Sequence, residues 1–561
     1  MKHFKRLNVW FSSQRHLYWF FVAVLMAVNV FLFFTEDISP LTRVPFLLLP
    51  LAFYMALMTL CRRPGTSAWI LFPMFFLGAF QMVLLYLFGR SIIASDMFLN
   101  LFTTNTGEVG ELLGKLLPAI LGVCVLYIPT LALAVRSIRL KEKLEGSFRR
   151  RRLIEAGILA VVSVPFALAG HTRVMDEVFP ANIFYNMVFA AQSWNRSVEY
   201  PQRSQDFDFQ ARATHPDTLR EVYVLVIGET ARAANFGLYG YSRNTTPCLE
   251  KIPGLIAFPD ALTQSNTTHK SVPVILSMAS ADDYSRLYST KGLLAAFRQA
   301  GFHTVFLSNQ LPNRSYIDYL AHQGDEYLNF VSGEHAAYDK TMVDTLASVI
   351  RRGGPKLLVV MHTHGSHFNY RERYPSSGAY YRPDDLEVVA VREREKLINA
   401  YDNSIRYTDE FLAQVIDTVA SFRIPAAVFY CSDHGEDLLD DTRKRFLHAS
   451  PVPTYYQIHI PFLMWFSENY IDARPEKYEV ARYNSSAPIS SNASIFHTLL
   501  NMAEIQTPYF DSTYSLVNPG FVRRPRMYLG DHDQPVNYYE VGLKKQDKEM
   551  ILKRGMDYSI E

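Results

Sequence analysis

Long apolar runs near the beginning of the chain constrain its fold more than any other feature. A helix needs roughly 17–25 apolar residues to cross the hydrocarbon of a bilayer. Four stretches of about that length carry no charge: Leu17–Phe34, Val44–Leu60, Ala68–Gly89 and Leu116–Val135. A fifth, Leu153–Gly170, contains only Glu155, close to one end. One such run is compatible with a buried core helix, but five in succession predict a membrane domain of five spans over residues 1–170 and exclude a purely soluble protein.

The orientation of these spans follows from the basic residues of the loops, because cytoplasmic loops are enriched in Lys and Arg. The N-terminus and the second and fourth connections hold fourteen basic residues, whereas the alternate loops hold only Arg43, Arg90 and Lys115. We therefore expect a cytoplasmic N-terminus. With five spans, everything after His171 lies on the other side of the membrane, and an even number of spans would reverse this.

The composition excludes two other classes of protein. The 56 basic and 54 acidic residues nearly cancel, which argues against a nucleic-acid binder. The four cysteines (Cys61, Cys124, Cys248 and Cys431) form no CxxC motif, so neither a disulfide framework nor a thiolate zinc site is expected.

The remainder of the chain reads as a connector followed by an α/β domain. Residues 171–220 form the connector, in which Phe184–Trp194 predicts an amphipathic helix at the membrane interface. Over 221–561, short apolar runs alternate with helical stretches, which predicts a sheet with helices on both faces. The predicted strands are Val222–Ile227, Thr304–Leu307, Leu357–Met361, Ala426–Tyr430 and Pro461–Phe466.

Polar side chains follow three of these strands, where α/β sheets place their sites. Glu229 and Thr230 follow the first, Asp433 and His434 follow AAVFYCS, and the LLVVMHTHGSH segment supplies His362, His364 and His367. A Glu here is often a helix cap and a His often a satisfied polar residue. Together, however, a carboxylate, an Asp-His pair and a hydroxyl suit a divalent metal such as Zn²⁺.

The loop between the third and fourth spans holds a polar stripe. Asn100, Thr104 and Glu108 are spaced four residues apart, so on a helix they share one face. Such a face is usually solvated, but its place at the outer membrane surface also suits a lipid headgroup site.

The chain resembles the inner-membrane phosphoethanolamine transferases of Gram-negative bacteria, which modify lipopolysaccharide. The resemblance covers almost the whole chain and rests on five motifs in order. These are GETARAANFGLYGYSRNTTP from Gly228, TTHKSVP from Thr267, MHTHGSHFNYRERYP from Met361, SDHGE from Ser432, and the isolated His448.

The resemblance implies a five-span α-helical membrane domain joined to a periplasmic alkaline phosphatase/sulfatase-like domain. It implies zinc ligands at Glu229, Asp433 and His434, and a threonine nucleophile at Thr268, which also touches zinc. His367 and His448 would surround the phosphoryl group and hold a second zinc, with His362 in the same site. Asn100, Thr104 and Glu108 would bind the headgroup.

The implied reaction moves phosphoethanolamine from phosphatidylethanolamine to a glycolipid through a phospho-threonine intermediate, with one or two Zn²⁺ ions as cofactor. The acceptor would be lipopolysaccharide, on core heptose or lipid A. The low cysteine count favours the core-modifying branch, because the lipid A-directed members have several disulfides. The implied location is the bacterial inner membrane, with the catalytic domain in the periplasm, and a monomer is expected.

Three other functions are compatible with parts of this pattern. A sulfatase needs a C/S-x-P-x-R motif, but Ser271-Val272-Pro273-Val274 is followed by Ile275, so sulfate-ester hydrolysis is not favoured. A phosphoglycerol transferase of the lipoteichoic acid synthase type would share the five spans and the threonine nucleophile but consume phosphatidylglycerol. A non-catalytic membrane-anchored binding protein would not need acid, hydroxyl and histidines together at strand ends.

Overall fold

The computed structural model describes residues 10–35, 38–88, 94–98, 117–215, 219–333 and 335–556. They form two compact units. The membrane unit comprises the described residues up to 98 and from 117 to 190, and the sheet unit comprises those of 191–442 and 446–556. The predicted headgroup residues Asn100, Thr104 and Glu108 lie outside the described residues.

The membrane unit is built from helices that match the apolar runs. Its helices are α1 (Gln14–Thr35), α2 (Pro40–Leu57), α3 (Pro64–Ile70), α4 (Phe72–Phe88), α5 (Leu117–Arg139), α6 (Gly146–Ala169) and α7 (Val174–Glu177). Among the described residues, α1, α2, α5 and α6 are each long and apolar enough to cross a membrane, and α3 with α4 makes a fifth span if the bent pair counts as one. Exposed apolar side chains such as Val125 and Val161 are suited to contact lipid.

The third apolar run is bent where the sequence predicted one continuous span. Helix α3 and the first part of α4 meet at an angle of 65°. Pro73 accounts for the break, because its ring excludes the amide hydrogen that would bond to Trp69 and clashes with that carbonyl. Proline also disfavours helical geometry at the preceding residue, Phe72.

The ends of the spans that carry the basic residues meet at one end of the membrane unit. Gln14 at the start of α1 donates from Nε2 to the carbonyl of Ser137, near the end of α5, at 2.8 Å. Arg149 at the start of α6 donates from Nε to the carbonyl of Thr59, just after α2, also at 2.8 Å. The contacts therefore place the basic N-terminal, second and fourth connections on the same side.

The sheet unit is organised around seven strands. In chain order they are β1 (Glu221–Gly228), β2 (Ile256–Ala257), β3 (His303–Ser308), β4 (Glu326–Asn329), β5 (Lys356–His362), β6 (Ala426–Ser432) and β7 (Phe462–Phe466). Their order across the sheet is β2-β7-β6-β1-β5-β3-β4. Strands β6, β1, β5, β3 and β4 run parallel, whereas β7 is antiparallel to both neighbours.

Helices cover both faces of this sheet, as its continuously apolar central strands require. The helices from α8 onward are α8 (Ala181–Ser204), α9 (Thr268–Ile275), α10 (Leu293–Gln299), α11 (Tyr316–Ala321), α12 (Thr341–Arg352), α13 (Arg394–Ser421), α14 (Tyr455–Ile458), α15 (Glu468–Ala473), α16 (Pro475–Asn484), α17 (Ser491–Met502) and α18 (Lys545–Lys553). Tyr223, Leu225 and Ile227 of β1 share one core with α9, α10 and α17. Helices α12 and α13 pack on each other and against β5 and β6.

Short strand pairs outside the main sheet complete the unit. They are Arg212–Ala213 with Ile505–Gln506, Ala261–Leu262 with Ile489–Ser490, Asp437–Leu438 with Phe446–Leu447, and Met527–Leu529 with Pro535–Asn537. The last pair forms a hairpin near the C-terminus. The connector helix is longer than predicted, because α8 spans Ala181–Ser204 whereas the sequence indicated only Phe184–Trp194.

Candidate functional site

The register of the central strands brings two acidic residues side by side. Gly228 at the end of β1 pairs with Ser432 at the end of the neighbouring parallel strand β6. The next residue of each strand is a carboxylate, Glu229 and Asp433 respectively, and His434 follows immediately. The sheet therefore concentrates polar side chains at its carboxyl edge, where parallel sheets place their sites.

Glu229, Asp433 and His434 form a compact group of potential metal ligands. One ligand atom from each lies within 4.8 Å of the others, and all three side chains are buried. The Nε2 atom of His434 is 3.3 Å from Oδ2 of Asp433 and 3.6 Å from Oε1 of Glu229. These are the oxygen and nitrogen donors that zinc takes in proteins.

Hydrogen bonds leave the inner atoms of this group available for a metal. The Nδ1 atom of His434 lies 2.9 Å from the carbonyl of Gly435, which can only accept a hydrogen bond, so Nδ1 carries the proton and Nε2 keeps its lone pair. Oδ1 of Asp433 accepts from the amides of Thr230 and His434. Its Oδ2 is buried and has no hydrogen-bond partner among the described residues. A buried carboxylate oxygen without a partner is costly, and a cation would satisfy it.

The carboxylates of Glu229 and Asp433 repel each other unless a cation lies between them. Burial and the neighbouring Asp433 carboxylate raise the pKa of Glu229 well above its usual value. Burial lowers the pKa of His434 to about 4, so the imidazole is neutral near pH 7. Two adjacent carboxylates and a neutral imidazole fit a divalent cation electrostatically.

Thr268 is the hydroxyl nearest to this group. It is the first residue of helix α9 and is half-buried. Its Oγ1 lies 3.2 and 3.4 Å from the carboxylate oxygens of Glu229 and 3.1 Å from Nε2 of His434. The adjacent Thr267 is buried, and its hydroxyl instead lies 3.1 Å from that of Ser265. The hydroxyl of Thr268 therefore faces the potential metal ligands and that of Thr267 does not. The sequence had favoured Thr268 over Thr267 only by its spacing to Pro273.

The three predicted histidines lie around the same group. The ring of His448 is 4.1 Å from that of His434, and its Nδ1 is 3.1 Å from Oε1 of Glu436. The ring of His367 lies 6.2 Å from that of His448. His362 ends β5 and is buried, which lowers its pKa to about 4, and neither ring nitrogen has a hydrogen-bond partner among the described residues.

An open pocket gives access to these side chains. Its volume is about 880 Å³, which includes part of the solvent at its mouth. Glu229, Thr268 and the three predicted histidines line it, as do residues of α11 and of the segment before it. The structure therefore brings together the predicted site residues of its described part, except that His364 is not among the residues that line this pocket.

The sequence placed Thr230 at a strand end but did not predict its supporting contacts, and it did not identify Glu436 as a supporting residue. Thr230 adopts a left-handed backbone (φ 60°), which is strained for a β-branched residue. Its amide binds Asp433, its hydroxyl donates to Glu229 at 2.7 Å, and its carbonyl accepts from Tyr401. Glu436, the partner of His448, is buried, which raises its pKa to about 8. The letters GET and SDHGE gave no sign of these contacts.

Gly365 lies close to the backbone of a potential metal ligand, Glu229. Its φ is +53°, and a Cβ atom there would lie 2.6 Å from the carbonyl oxygen and 2.9 Å from the amide nitrogen of Glu229. Asp339 fixes this turn by accepting from the amides of His364 and Gly365, each at 2.9 Å. The glycine of the HGSH segment thus permits the contact that supports Glu229.

We expect Gly365→Ala to lower both stability and metal affinity. The left-handed conformation alone costs alanine about 1–2 kcal/mol, and the clash adds to this by displacing Glu229. Gly333→Ala is a matched control, because Gly333 has φ +64° but no atom of the described residues lies within 4 Å of an added Cβ. Thermal unfolding and zinc titration of the full-length variants measure the effects. Equal losses in both variants would contradict the role given to Gly365.

Comparison with known proteins agrees with this architecture. The model of the family described as Sulfatase matches residues 221–505. The Kdo(2)-lipid A phosphoethanolamine 7''-transferase of Escherichia coli (strain K12) is 31% identical over 288 residues, which are 50% of this chain and 49% of that protein. The chain thus spans about half the length of this curated relative.

Two solved structures are similar to different extents of the chain. The C-terminal periplasmic domain of EcEptC from Escherichia coli, in complex with Zn, has a TM-score of 0.54 and 25% identity, covering 60% of this chain and 97% of that one. The integral membrane protein lipooligosaccharide phosphoethanolamine transferase A from Neisseria meningitidis has a TM-score of 0.73 and 22% identity, covering 91% and 99%. The second likeness extends across both units and confirms the fold class, membrane helices joined to an alkaline phosphatase-like domain.

The family model covers more than half of the 561 residues, and its range contains every residue of the candidate metal group. The chain is a multi-pass membrane protein that belongs to the sulfatase family.

Proposed function

We propose that this chain transfers phosphoethanolamine from phosphatidylethanolamine to an envelope glycolipid such as lipopolysaccharide, on core heptose or lipid A. The observation that carries the proposal is the half-buried hydroxyl of Thr268, which lies 3.1–3.4 Å from ligand atoms of Glu229 and His434. The names of the similar proteins, which are phosphoethanolamine transferases, support the group transferred. Sulfate-ester hydrolysis is not proposed, because Ile275 stands where the formylglycine motif needs an arginine.

Zinc is the proposed cofactor, held by Glu229, Thr268, Asp433 and His434. The unpartnered Oδ2 of Asp433, the neutral imidazole and the paired carboxylates support this, as does the Zn complex of the similar EcEptC domain. When bound, Zn²⁺ acts as a Lewis acid and makes a hydroxyl nucleophilic near pH 7. His367 and His448, with His362 nearby, are the proposed holders of a second ion.

The chain's own residues supply the two steps of a ping-pong reaction. In the first, Thr268 gives up its hydroxyl proton to solvent, its Oγ1 bonds to phosphorus, and the bond to diacylglycerol breaks. His367 or His448 protonates the leaving oxygen. In the second, the same histidine takes the proton of the acceptor hydroxyl, that oxygen bonds to phosphorus, and Thr268 regains its proton as its bond to phosphorus breaks.

The membrane unit fits a donor that is itself a lipid. The basic ends of its spans lie on one side, which supports a cytoplasmic N-terminus and a periplasmic sheet unit in the bacterial inner membrane. Asn100, Thr104 and Glu108 remain the proposed headgroup residues. We further propose that the chain is closer to the core-modifying branch of these transferases than to the lipid A branch, and that it acts as a monomer. The domain limits 1–170, 171–220 and 221–561 remain part of this proposal.

Donor labelling tests the proposed function directly. Full-length protein in vesicles is incubated, without acceptor, with either phosphatidylethanolamine or phosphatidylglycerol, and peptide mass spectrometry locates any adduct. We expect phosphoethanolamine on Thr268 with the first lipid and no adduct with the second. A phosphoglycerol adduct would support the lipoteichoic acid synthase type of reaction instead. No adduct with either lipid would contradict covalent transfer and favour a non-catalytic binding protein.

A further inference from the structure

The nucleophile helix carries a buried lysine close to the proposed nucleophile. Lys270 lies two residues after Thr268 on α9, and its side chain is only 3% exposed. An unpaired ammonium in such a place would be very costly. Its Nζ instead lies 2.9 Å from the carbonyl of Gly530, 3.1 Å from that of Asp531 and 3.2 Å from Oδ1 of Asp533. An ammonium has three donors, and these contacts supply three acceptors.

The acceptors belong to the tip of the C-terminal hairpin, residues 530–533, which has its own fixed shape. The amide of Gly530 donates to the carbonyl of Gln534, and the amide of Asp533 donates to the carbonyl of Gly530. Asp533 adopts a left-handed backbone (φ 56°). The amide of Leu529 donates at 2.7 Å to the carbonyl of Gln264, four residues before Thr268. The hairpin tip is therefore anchored to the segment that leads into α9.

The second oxygen of Asp533 is held from another side. The hydroxyl of Tyr288 donates to Oδ2 of Asp533 at 3.0 Å. The guanidinium of Arg196, on α8, lies 5.0 Å from the centre of the Tyr288 ring, and its Nη1 is 3.4 Å from the Tyr288 hydroxyl. The carboxylate facing Lys270 is thus itself oriented by two further side chains.

The neighbouring residue attaches α9 to the candidate metal group. Ser271 Oγ donates to the carbonyl of Asp433 at 2.6 Å, and Asn492 donates from Nδ2 to the Ser271 hydroxyl at 2.9 Å. Helix α9 has only eight residues, too few to be stable without tertiary contacts. Lys270 and Ser271 therefore fasten its first turn on two sides.

We propose that Lys270 is a positioning residue, whose contact with the hairpin tip keeps Thr268 Oγ1 within reach of Glu229 and His434. This inference rests on the proposed function and goes beyond it, because it assigns a role in the reaction to the contact between Lys270 and the hairpin tip. A displacement of about 1 Å at a reacting group costs on the order of 100-fold in rate. Loss of the contact between Lys270 and the hairpin tip should therefore slow transfer without removing the nucleophile.

The test compares Lys270→Met with a double variant, Lys270→Met/Asp533→Asn. Methionine keeps an unbranched apolar stem but removes the ammonium, which leaves the Asp533 carboxylate unpaired and should lower the melting temperature. Asparagine then removes that unpaired charge and should restore the melting temperature. A purely structural role predicts that the rate returns with stability, whereas a positioning role predicts that it does not.

We expect both variants to label Thr268 roughly 100-fold more slowly than the wild type, with unchanged zinc content and a changed kcat rather than KM for the donor lipid. Lys477→Met is the matched control. That lysine is also largely buried and binds the Asn501 carbonyl and Glu504, at the C-terminal end of α17 rather than at the hairpin tip. Its loss should leave the labelling rate within a few-fold of wild type.

Hydrogen exchange of the full-length protein separates this inference from the proposed function. Amides of the first turn of α9 should exchange faster in Lys270→Met than in wild type or Lys477→Met. If wild-type Thr268 is never labelled, the proposed function fails, and exchange still decides whether Lys270 holds the helix. Unchanged exchange in α9, or a wild-type labelling rate in the double variant, would overturn the inference.

Discussion

Thr268→Ala is expected to abolish phosphoethanolamine transfer, with a fall of at least about 10⁴-fold, the scale on which loss of a covalent nucleophile acts. The variant removes the half-buried hydroxyl that faces both Glu229 and His434, and no other atom of alanine can form the phosphate ester. Transfer of radiolabelled headgroup from vesicles to lipopolysaccharide measures the loss.

Two variants control for damage to the site. Thr267→Ala changes the neighbouring buried threonine, whose hydroxyl contacts Ser265 instead of the metal group, so transfer should fall by no more than a few-fold. Thr268→Ser keeps the hydroxyl and should retain part of the activity. Full transfer by Thr268→Ala, or an adduct found on Thr267, would remove Thr268 from the mechanism.

The zinc content of Thr268→Ala shows whether the variant loses activity through the missing nucleophile or through loss of the metal. Three of the four proposed zinc ligands remain in this variant, so we expect a metal to stay bound more weakly than in wild type. A variant that binds zinc but accepts no headgroup would isolate the covalent step. Loss of all zinc would instead assign part of the effect to coordination.

The centre of the fold was predictable because its strands are buried on both faces. A continuous apolar run such as that of β1 is enough to identify a parallel strand, and its side chains are all buried. The sequence also predicted that polar residues gather at the carboxyl edge of the sheet. It did not predict the strand order and register that place Glu229 and Asp433 side by side.

The edges of the fold were not predictable in the same way. Strand β4, Glu326–Asn329, is partly exposed and polar, so no apolar run marks it. The break between α3 and α4 depends on a single proline inside a run that is otherwise uniformly apolar. His448 follows a strand of only two residues, Phe446–Leu447, and its place in the site came from the resemblance alone.

Contacts between distant parts of the chain could not be predicted from the sequence either. Lys270 meets a hairpin tip about 260 positions later, and Asp339 reaches the turn at Gly365 from just before α12. The strain at Thr230 is visible only in its backbone angle. Such contacts have no periodicity or spacing, because they depend on how separate elements pack.

Asp433→Asn should raise the stability of the metal-free protein but lower the stability of the zinc-bound protein, each relative to wild type. In the metal-free protein the buried Oδ2 of Asp433 has no hydrogen-bond partner among the described residues and its charge opposes that of Glu229. An asparagine amide can donate to Glu229 at that position, while its Oδ1 still accepts from the amides of Thr230 and His434. Relief of one unsatisfied buried group predicts a gain on the order of 1–3 kcal/mol in the free energy of unfolding without metal.

With zinc the order of the two proteins should be the opposite. A metal that binds only the folded state stabilises it by about 4 kcal/mol when its concentration is 1,000 times the dissociation constant. Asp433→Asn lacks one anionic ligand and should lose most of that gain. Thermal unfolding of the full-length proteins, with zinc and with a chelator, measures both differences, and elemental analysis reports the bound metal.

The pH dependence of the wild type gives a second check on the same group. Because the folded-state pKa of Glu229 is raised above its usual value of 4.5, the metal-free protein should lose stability as pH rises from that value through the raised pKa. Zinc binding requires the deprotonated carboxylate, so the stabilisation by zinc should instead grow over the same range. Burial is the larger cause of this raised pKa and the Asp433 charge the smaller one, so Asp433→Asn should weaken the metal-free dependence without removing it. If zinc stabilises Asp433→Asn as much as wild type at every pH, Asp433 is not a ligand and the metal group must be assigned elsewhere.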